Sequence, residues 1–109
     1  AYENSVKEKV LGISPDLLAK HGAVSKETAL AMAHGARKLL KTDLALAITG
    51  IAGPEGGTRA KPVGLVYISL VGENINICEK YIFSGTREDI RWRSANWALY
   101  LLKRSFESI

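Results

Sequence analysis

Two hydrophobic periods run along the chain, and the switches between them mark its elements. Over roughly the first forty positions apolar residues recur at helical spacing. Asn4 is a suitable N-cap and predicts a helix from Ser5 to Leu11, ended by Gly12. Ser14-Pro15-Asp16 predicts a second short helix, with Ser as cap and Pro in the first turn, ending at His21-Gly22. Ser25 caps a third helix to about Leu40, with Glu27 favourably placed against the dipole. Its apolar face takes in Ala29, Met32, Ala33, Ala36 and Leu40, and its small residues permit close packing on a sheet.

The pattern then changes to short dense runs. Leu44–Thr49 is apolar without alternation, which predicts a strand buried on both faces. Gly64–Val71 and Ile75–Phe83 follow, separated only by Gly72-Glu73-Asn74, and predict an antiparallel hairpin. Ile75, Ile77, Tyr81 and Phe83 share one face of the second strand. Thr86, with Asp89 three residues on, opens a last helix running to about Phe106. On it Trp92, Ala95, Leu99, Leu102 and Phe106 form one stripe, and Ile90, Trp97 and Leu101 another. Together they span roughly 200°, against about 100° for an ordinary surface helix, so more than one surface should cover this helix.

The expected fold is α/β: a three-layer α/β/α sandwich with a mixed sheet. Three strands are few for two helical layers. A first strand and helix are expected to be missing, with Ala1-Tyr2 ending the absent strand, so positions 1–109 read as one domain incomplete at its N-terminus.

Composition narrows the class. With 109 residues, 47% hydrophobic and 24% charged, the chain is an ordinary globular domain and not a disordered or low-complexity segment. The single cysteine, Cys78, rules out an intrachain disulfide and a cysteine-based zinc site, and fits a reducing, cytoplasmic setting. No apolar run approaches ~20 residues and no signal peptide is visible, so no membrane partner is expected. The net charge of +4 is scattered; without a basic stripe or an aromatic platform, nucleic-acid binding ranks last.

Candidate chemistry concentrates in two places. The stretch from Thr49 to Pro62 holds four of the ten glycines and follows the carboxyl end of the first strand, where open α/β sheets bind ligands. Its glycines allow close backbone approach, and Thr49, Thr58, Arg59 and Lys61 can contact phosphate. A plain flexible connection with solubilising residues is the alternative. The stretch is not a P-loop, since Gly-Lys-Ser/Thr is absent. The second place is Tyr2, Asn4 and Lys7. A lysine in a first helical turn opposes the dipole, which lowers its pKa by only ~0.3–1 kcal/mol. Bringing it from about 10.4 to near 7 takes roughly 4 kcal/mol, so desolvation has to supply most. A neutral Lys7 would be a general base; otherwise it is a solvated surface residue. Neither His21 nor His34 has metal-ligand spacing, and no metal or cofactor is expected. Cys78 reads as packing. Arg87, Arg91 and Arg93 read as a solvated face, and Trp92 and Trp97 as core or interface anchors.

Tyr2-x-Asn4-x-x-Lys7, Leu11-Gly12-Ile13, His21-Gly22-Ala23-Val24-Ser25, Thr49-Gly50-Ile51-Ala52-Gly53-Pro54-x-Gly56-Gly57, Lys61-Pro62-Val63-Gly64-x-Val66-Tyr67 and Phe83-x-Gly85-x-Arg87 resemble, in order and spacing, the CinA C-terminal family. The resemblance implies an α/β/α fold and a nicotinamide-nucleotide amidase, which hydrolyses the carboxamide of nicotinamide mononucleotide to nicotinate mononucleotide and ammonia. It implies a serine nucleophile in a Glu-Ser-Cys-Thr-Gly-Gly motif, served by Tyr2 and Lys7. That motif does not occur in this sequence. Asn4, Thr49, Gly50, Gly53, Gly56, Gly57, Lys61 and Arg87 are then the expected substrate-binding residues. The partners expected are nicotinamide mononucleotide and further copies of the chain in a homo-oligomer. The rival expectation is a non-catalytic module that binds a nucleotide or a protein within a larger CinA-like polypeptide.

Overall fold

A computed structural model describes residues 11–107. The helix expected to begin at Ser5, with Tyr2, Asn4 and Lys7, lies outside the described residues. The first described helix, α1, spans Pro15–His21. The Ser14 hydroxyl accepts from the Leu17 amide at 3.1 Å, and Pro15, which lacks an amide hydrogen, costs nothing in the first turn. Gly22 ends α1 at φ +82°, donating its amide to Leu18. Helix α2 spans Lys26–Leu40, opened by Ser25 accepting from the Thr28 amide at 3.1 Å. It ends on Lys41, a non-glycine residue in the left-handed region at φ 54°.

Three strands follow: β1 (Leu44–Gly50), β2 (Leu65–Gly72) and β3 (Asn76–Ile82), in the order β1-β2-β3. Both pairings are antiparallel, with Ala47, Ser69 and Cys78 side by side across the sheet. The parallel pairing expected of a mixed sheet is not among those of the described residues. Helix α3 spans Arg87–Glu107. It opens with a reciprocal capping box: Thr86 Oγ1 accepts from the Asp89 amide, and the Asp89 carboxylate accepts from the Thr86 amide.

The sheet carries a helix on each face. Below it, Met32 and Ala33 of α2 pack with Ile13, Leu18, Ala47 and Val71. Above it, Ile90, Ala98 and Leu101 of α3 pack on Val66, Ile68 and Leu70. The small Ala29 and Ala33 let α2 approach closely, so that the buried Ser69 hydroxyl donates to the Ala29 carbonyl oxygen at 2.6 Å. Small residues that permit close packing on the sheet, as expected, are what the third expected helix supplies.

Three sequence expectations need correction. The continuous burial assigned to Leu44–Thr49 belongs to β2 instead. In β2 every residue from Leu65 to Val71 except Tyr67 is buried, whereas Leu44, Ala45, Leu46 and Ile48 of β1 are half-buried. Among the described residues β1 is hydrogen-bonded on one side only, which leaves its other side open. Leu40 is not part of the buried α2 face but is 66% exposed, in a last turn where Lys38 and Leu39 are exposed as well. Trp92 and Trp97 are not core: they are 70% and 41% exposed.

Candidate functional site

The carboxyl end of β1 opens into a cleft of about 530 Å³, a size common for small-molecule sites. Three segments build it. Ile48, Thr49, Gly50 and Ala52 form one wall at the end of β1, joined by Val66 of β2. Ala23 and Val24, just before α2, close one side. Arg87, Ile90, Arg91, Ser94 and Ala95 of α3 form the opposite wall. These five residues follow the i, i+3, i+4, i+7, i+8 pattern, so they share one helix face. The floor is neutral and largely apolar, while the two guanidinium groups stand in the α3 wall.

Thr49 is buried, and its hydroxyl donates to the Ala23 carbonyl oxygen at 2.7 Å. That bond fixes the segment preceding α2 against the end of β1 and so shapes the cleft. Arg87 is exposed, and one terminal nitrogen donates to the Gly53 carbonyl oxygen at 3.0 Å. Arg87 therefore joins the glycine-rich stretch to the first turn of α3. Ser94 is buried in the same wall, but its hydroxyl donates to the Ile90 carbonyl oxygen at 2.7 Å, and no base contacts it among the described residues.

The glycine-rich stretch is not a structureless connection. The Ile51 amide donates to Leu65, the Gly64 amide to Ile51, and the Thr58 amide to Lys61, so the chain continues the β1–β2 ladder and then turns back on itself. Its glycines serve this internal packing. Gly53 sits at φ +80°, and a Cβ there would come 2.5 Å from a methyl carbon of Val63. Gly57 is likewise backed by Val63, whose amide nitrogen would be 2.7 Å from an added Cβ. Lys61 reaches back to α1, where its ammonium donates to the His21 carbonyl oxygen at 2.6 Å. A cation there is favoured by the negative end of the helix dipole. Of the expected substrate-binding residues, then, Thr49, Gly50 and Arg87 line the cleft, and Gly53 stands behind it through its carbonyl. Gly56, Gly57 and Lys61 are not in its lining, and Asn4 lies outside the described residues.

The sequence reading places Arg91 on a solvated face and Ala95 in an apolar stripe, and gives Ser94 no role; all three line the cleft. The signal was present in their spacing from Arg87, at one and two turns along the same face. Cys78 lies on the sheet opposite Ser69, away from the cleft, and burial pushes its thiol up to about 11, which keeps it protonated and inert at neutral pH. Among the described residues no group of three or more His, Cys, Asp and Glu side chains could hold a metal, and no helix is long and apolar enough to cross a membrane.

The family model for the CinA C-terminal domain matches residues 1–106. The chain belongs to the CinA C-terminal domain family. It is 52% identical over 103 residues to a CinA-like protein of Endomicrobium trichonymphae, covering 94% of this chain and 24% of that protein. It is 48% identical over 108 residues to a CinA-like protein of Geotalea uraniireducens, covering 99% and 26%. Among solved structures, the competence/damage inducible protein CihA from Agrobacterium tumefaciens superposes with a TM-score of 0.92 at 39% identity, covering 95% of this chain and 64% of that one. This CinA domain thus spans about a quarter of the length of the curated relatives it matches. The resemblance carried by Thr49–Gly57 and Phe83–Arg87 falls on the segments that meet at the cleft.

Proposed function

We propose that this CinA domain is a nicotinamide-nucleotide amidase, acting with a serine supplied from upstream of the given sequence. The observation that carries this reading is the cleft itself. It joins an apolar floor, suited to a flat pyridine ring, to two guanidinium groups suited to a phosphate. It lies at the carboxyl end of a strand, where this class of fold collects its ligands. In the reaction the serine oxygen attacks the carboxamide carbon while Lys7 accepts the hydroxyl proton. As the tetrahedral intermediate collapses, its nitrogen takes the proton from Lys7, the C–N bond breaks and ammonia leaves; water then hydrolyses the acyl-enzyme and returns the serine hydroxyl. Tyr2 hydrogen-bonds the serine or Lys7, and backbone amides hold the oxyanion. Thr49, Gly50 and Arg87 shape the pocket.

The second reading is a non-catalytic module that binds a nucleotide or a protein. It is favoured by one observation: Ser94, the serine of the cleft wall, is engaged by Ile90 and has no base among the described residues. Ammonia release from nicotinamide mononucleotide separates the two. The 109-residue chain is expected to be inactive. A form extended upstream to the length of its solved relatives is expected to turn over, and Lys7→Ala is expected to abolish that turnover without unfolding the domain. Absence of turnover in the extended form supports the module; full activity of Lys7→Ala removes Lys7 from the mechanism.

A further inference from the structure

Between α1 and α2 three consecutive carbonyl oxygens are each taken by a side chain. His21 accepts from the Lys61 ammonium at 2.6 Å. Gly22 accepts from the Ser25 and Thr28 hydroxyls at 3.1 and 2.6 Å. Ala23 accepts from the Thr49 hydroxyl at 2.7 Å. Residues 22–25 belong to no helix or strand, so side chains rather than a backbone ladder set their position, and Ala23 and Val24 form one side of the cleft. Ser25 and Thr28 act from the adjoining turn and helix, and Thr49 from the end of β1. Lys61 reaches in from the glycine-rich stretch, forty positions from His21.

Ending α1 does not require that reach. The Gly22 amide already returns to Leu18, and Lys20 already brings a cation to the last turn. The tie is nevertheless firmly rooted. The Lys61 amide donates to Thr58 Oγ1 at 3.0 Å, and its carbonyl oxygen accepts from the Thr58 amide at 2.8 Å. The side chain is half-buried, and a Cβ added at Gly22 would come 2.9 Å from the ammonium, so the glycine leaves the space that the tie occupies. The same stretch is held at Gly53 by Arg87, on the opposite wall. One piece of chain is therefore tied to both walls, and its two ties fix their separation.

We propose that Lys61 is a positioning residue: through the His21 carbonyl it holds the Ala23–Val24 wall at a set distance from α3, so that the cleft is formed before its ligand arrives. The proposal rests on the amidase reading for the identity of the ligand, but not for the placing of the wall. A wall that wanders is competent for only part of the time, and the apparent affinity falls by that fraction. Lys61 lies outside the cleft lining, so its loss falls on binding and not on the chemical step.

The test measures KM and kcat separately for nicotinamide mononucleotide in the upstream-extended form. Lys61→Met keeps the apolar stem and removes the ammonium. It is expected to raise KM about tenfold, the effect of losing one charge-assisted hydrogen bond, with kcat within twofold. Lys20→Met removes an exposed cation from the same helix end and leaves both constants unchanged. Amide exchange at residues 22–24 is expected to accelerate in Lys61→Met and to return to the unmodified rate at saturating mononucleotide, which a general loss of folding would not reproduce. If Lys61→Met does not fold, Lys61→Gln, one atom too short for the tie, is expected to show the same split. An unchanged KM, a loss confined to kcat, or an equal rise in Lys20→Met overturns the proposal while the amidase reading stands. If the unmodified extended form does not hydrolyse the mononucleotide, the amidase reading fails and calorimetric binding of that compound decides. Binding about tenfold weaker in Lys61→Met and unchanged in Lys20→Met supports the positioning role; equal binding in all three, or none, overturns it.

Discussion

Arg87 and Gly53, thirty-four positions apart, are joined by a 3.0 Å hydrogen bond from guanidinium to carbonyl. This contact holds the glycine-rich stretch against the helix that forms the opposite wall of the cleft. Two effects oppose each other in Arg87→Ala. Loss of a hydrogen bond from a charged donor costs about 1–1.5 kcal/mol at this exposed position. Removing a cation from a helix first turn returns about 0.3–1 kcal/mol. Global stability should therefore fall by less than about 1 kcal/mol, while amide exchange in residues 52–63 accelerates. Exchange in that stretch equal to that of the unmodified protein would show that Arg87 does not hold it.

Helix α2 ends on Lys41 in the left-handed region, at φ 54°, with its amide donated to Arg37. A residue with a Cβ pays ~1–2 kcal/mol for this conformation. Glycine avoids that cost but loses about 0.5–1 kcal/mol more backbone entropy on folding. Lys41→Gly should therefore stabilise the domain by about 0.5–1 kcal/mol, seen as a higher urea midpoint with an unchanged slope. A lower midpoint would mean that the lysine side chain contributes more than the strain.

The order of elements was legible because local chemistry marks their ends. Ser14, Ser25 and the Thr86–Asp89 pair cap where expected, and three residues between two apolar runs dictate the hairpin. Burial was less legible. Leu44–Thr49 and Leu65–Val71 are both dense apolar runs, and only the pairing order tells which lies in the middle of the described sheet. The Lys41 cap had no glycine to announce it. In the candidate site, Thr49 and Gly50 were legible in the glycine-rich stretch that follows the first strand and Arg87 through motif resemblance, whereas Arg91 was hidden among three arginines that read as solvated. The roles of Gly57 and Lys61 depend on Val63 and on the carbonyl of His21, contacts set by the folded path of the chain.

Glu79 accepts hydrogen bonds from Tyr81 and from Arg104, linking β3 to the last turns of α3. The Tyr81 hydrogen bond and the Arg104 guanidinium hold the carboxyl below its usual range. Burial, and then the bond to Glu79, push the Tyr81 phenol up to about 12. The two shifts act at opposite ends of the pH scale. A lowered carboxyl contributes stability that is present above its unfolded value and lost as pH falls through the folded one. A raised phenol contributes stability that is present below its unfolded value, near 10, and lost as pH rises toward 12. Glu79→Gln should flatten the acid limb of stability, and Tyr81→Phe the alkaline limb. Tyrosinate absorbance checks the second directly: a phenol titrating at an ordinary value would remove the contact from solution.

Trp92, Leu99 and Phe106 recur every seven residues on α3 and are 70%, 64% and 55% exposed. Of the other stripe of the same helix, Ile90 at 2% and Leu101 at 0% exposure are closed against the sheet, while Trp97 is 41% exposed. Single exposed apolar residues are ordinary, but three large ones in a line form a patch of the kind that marks a contact surface. Each such side chain gains about 1.5–3 kcal/mol when fully buried, which is enough to repay ordering a partner segment. The expected outcome is that a second copy of the domain, or residues upstream of those given, covers this stripe. Leu99→Lys separates a covered stripe from a free one. In the 109-residue chain, where Leu99 meets solvent, the substitution should change stability by less than about 0.5 kcal/mol. In the upstream-extended form it should cost several times more, or shift the sedimentation coefficient to that of a monomer, and acrylamide should quench Trp92 less than in the short chain. A substitution that is harmless in both forms, with Trp92 equally quenched in both, would show that the stripe faces water in the working protein.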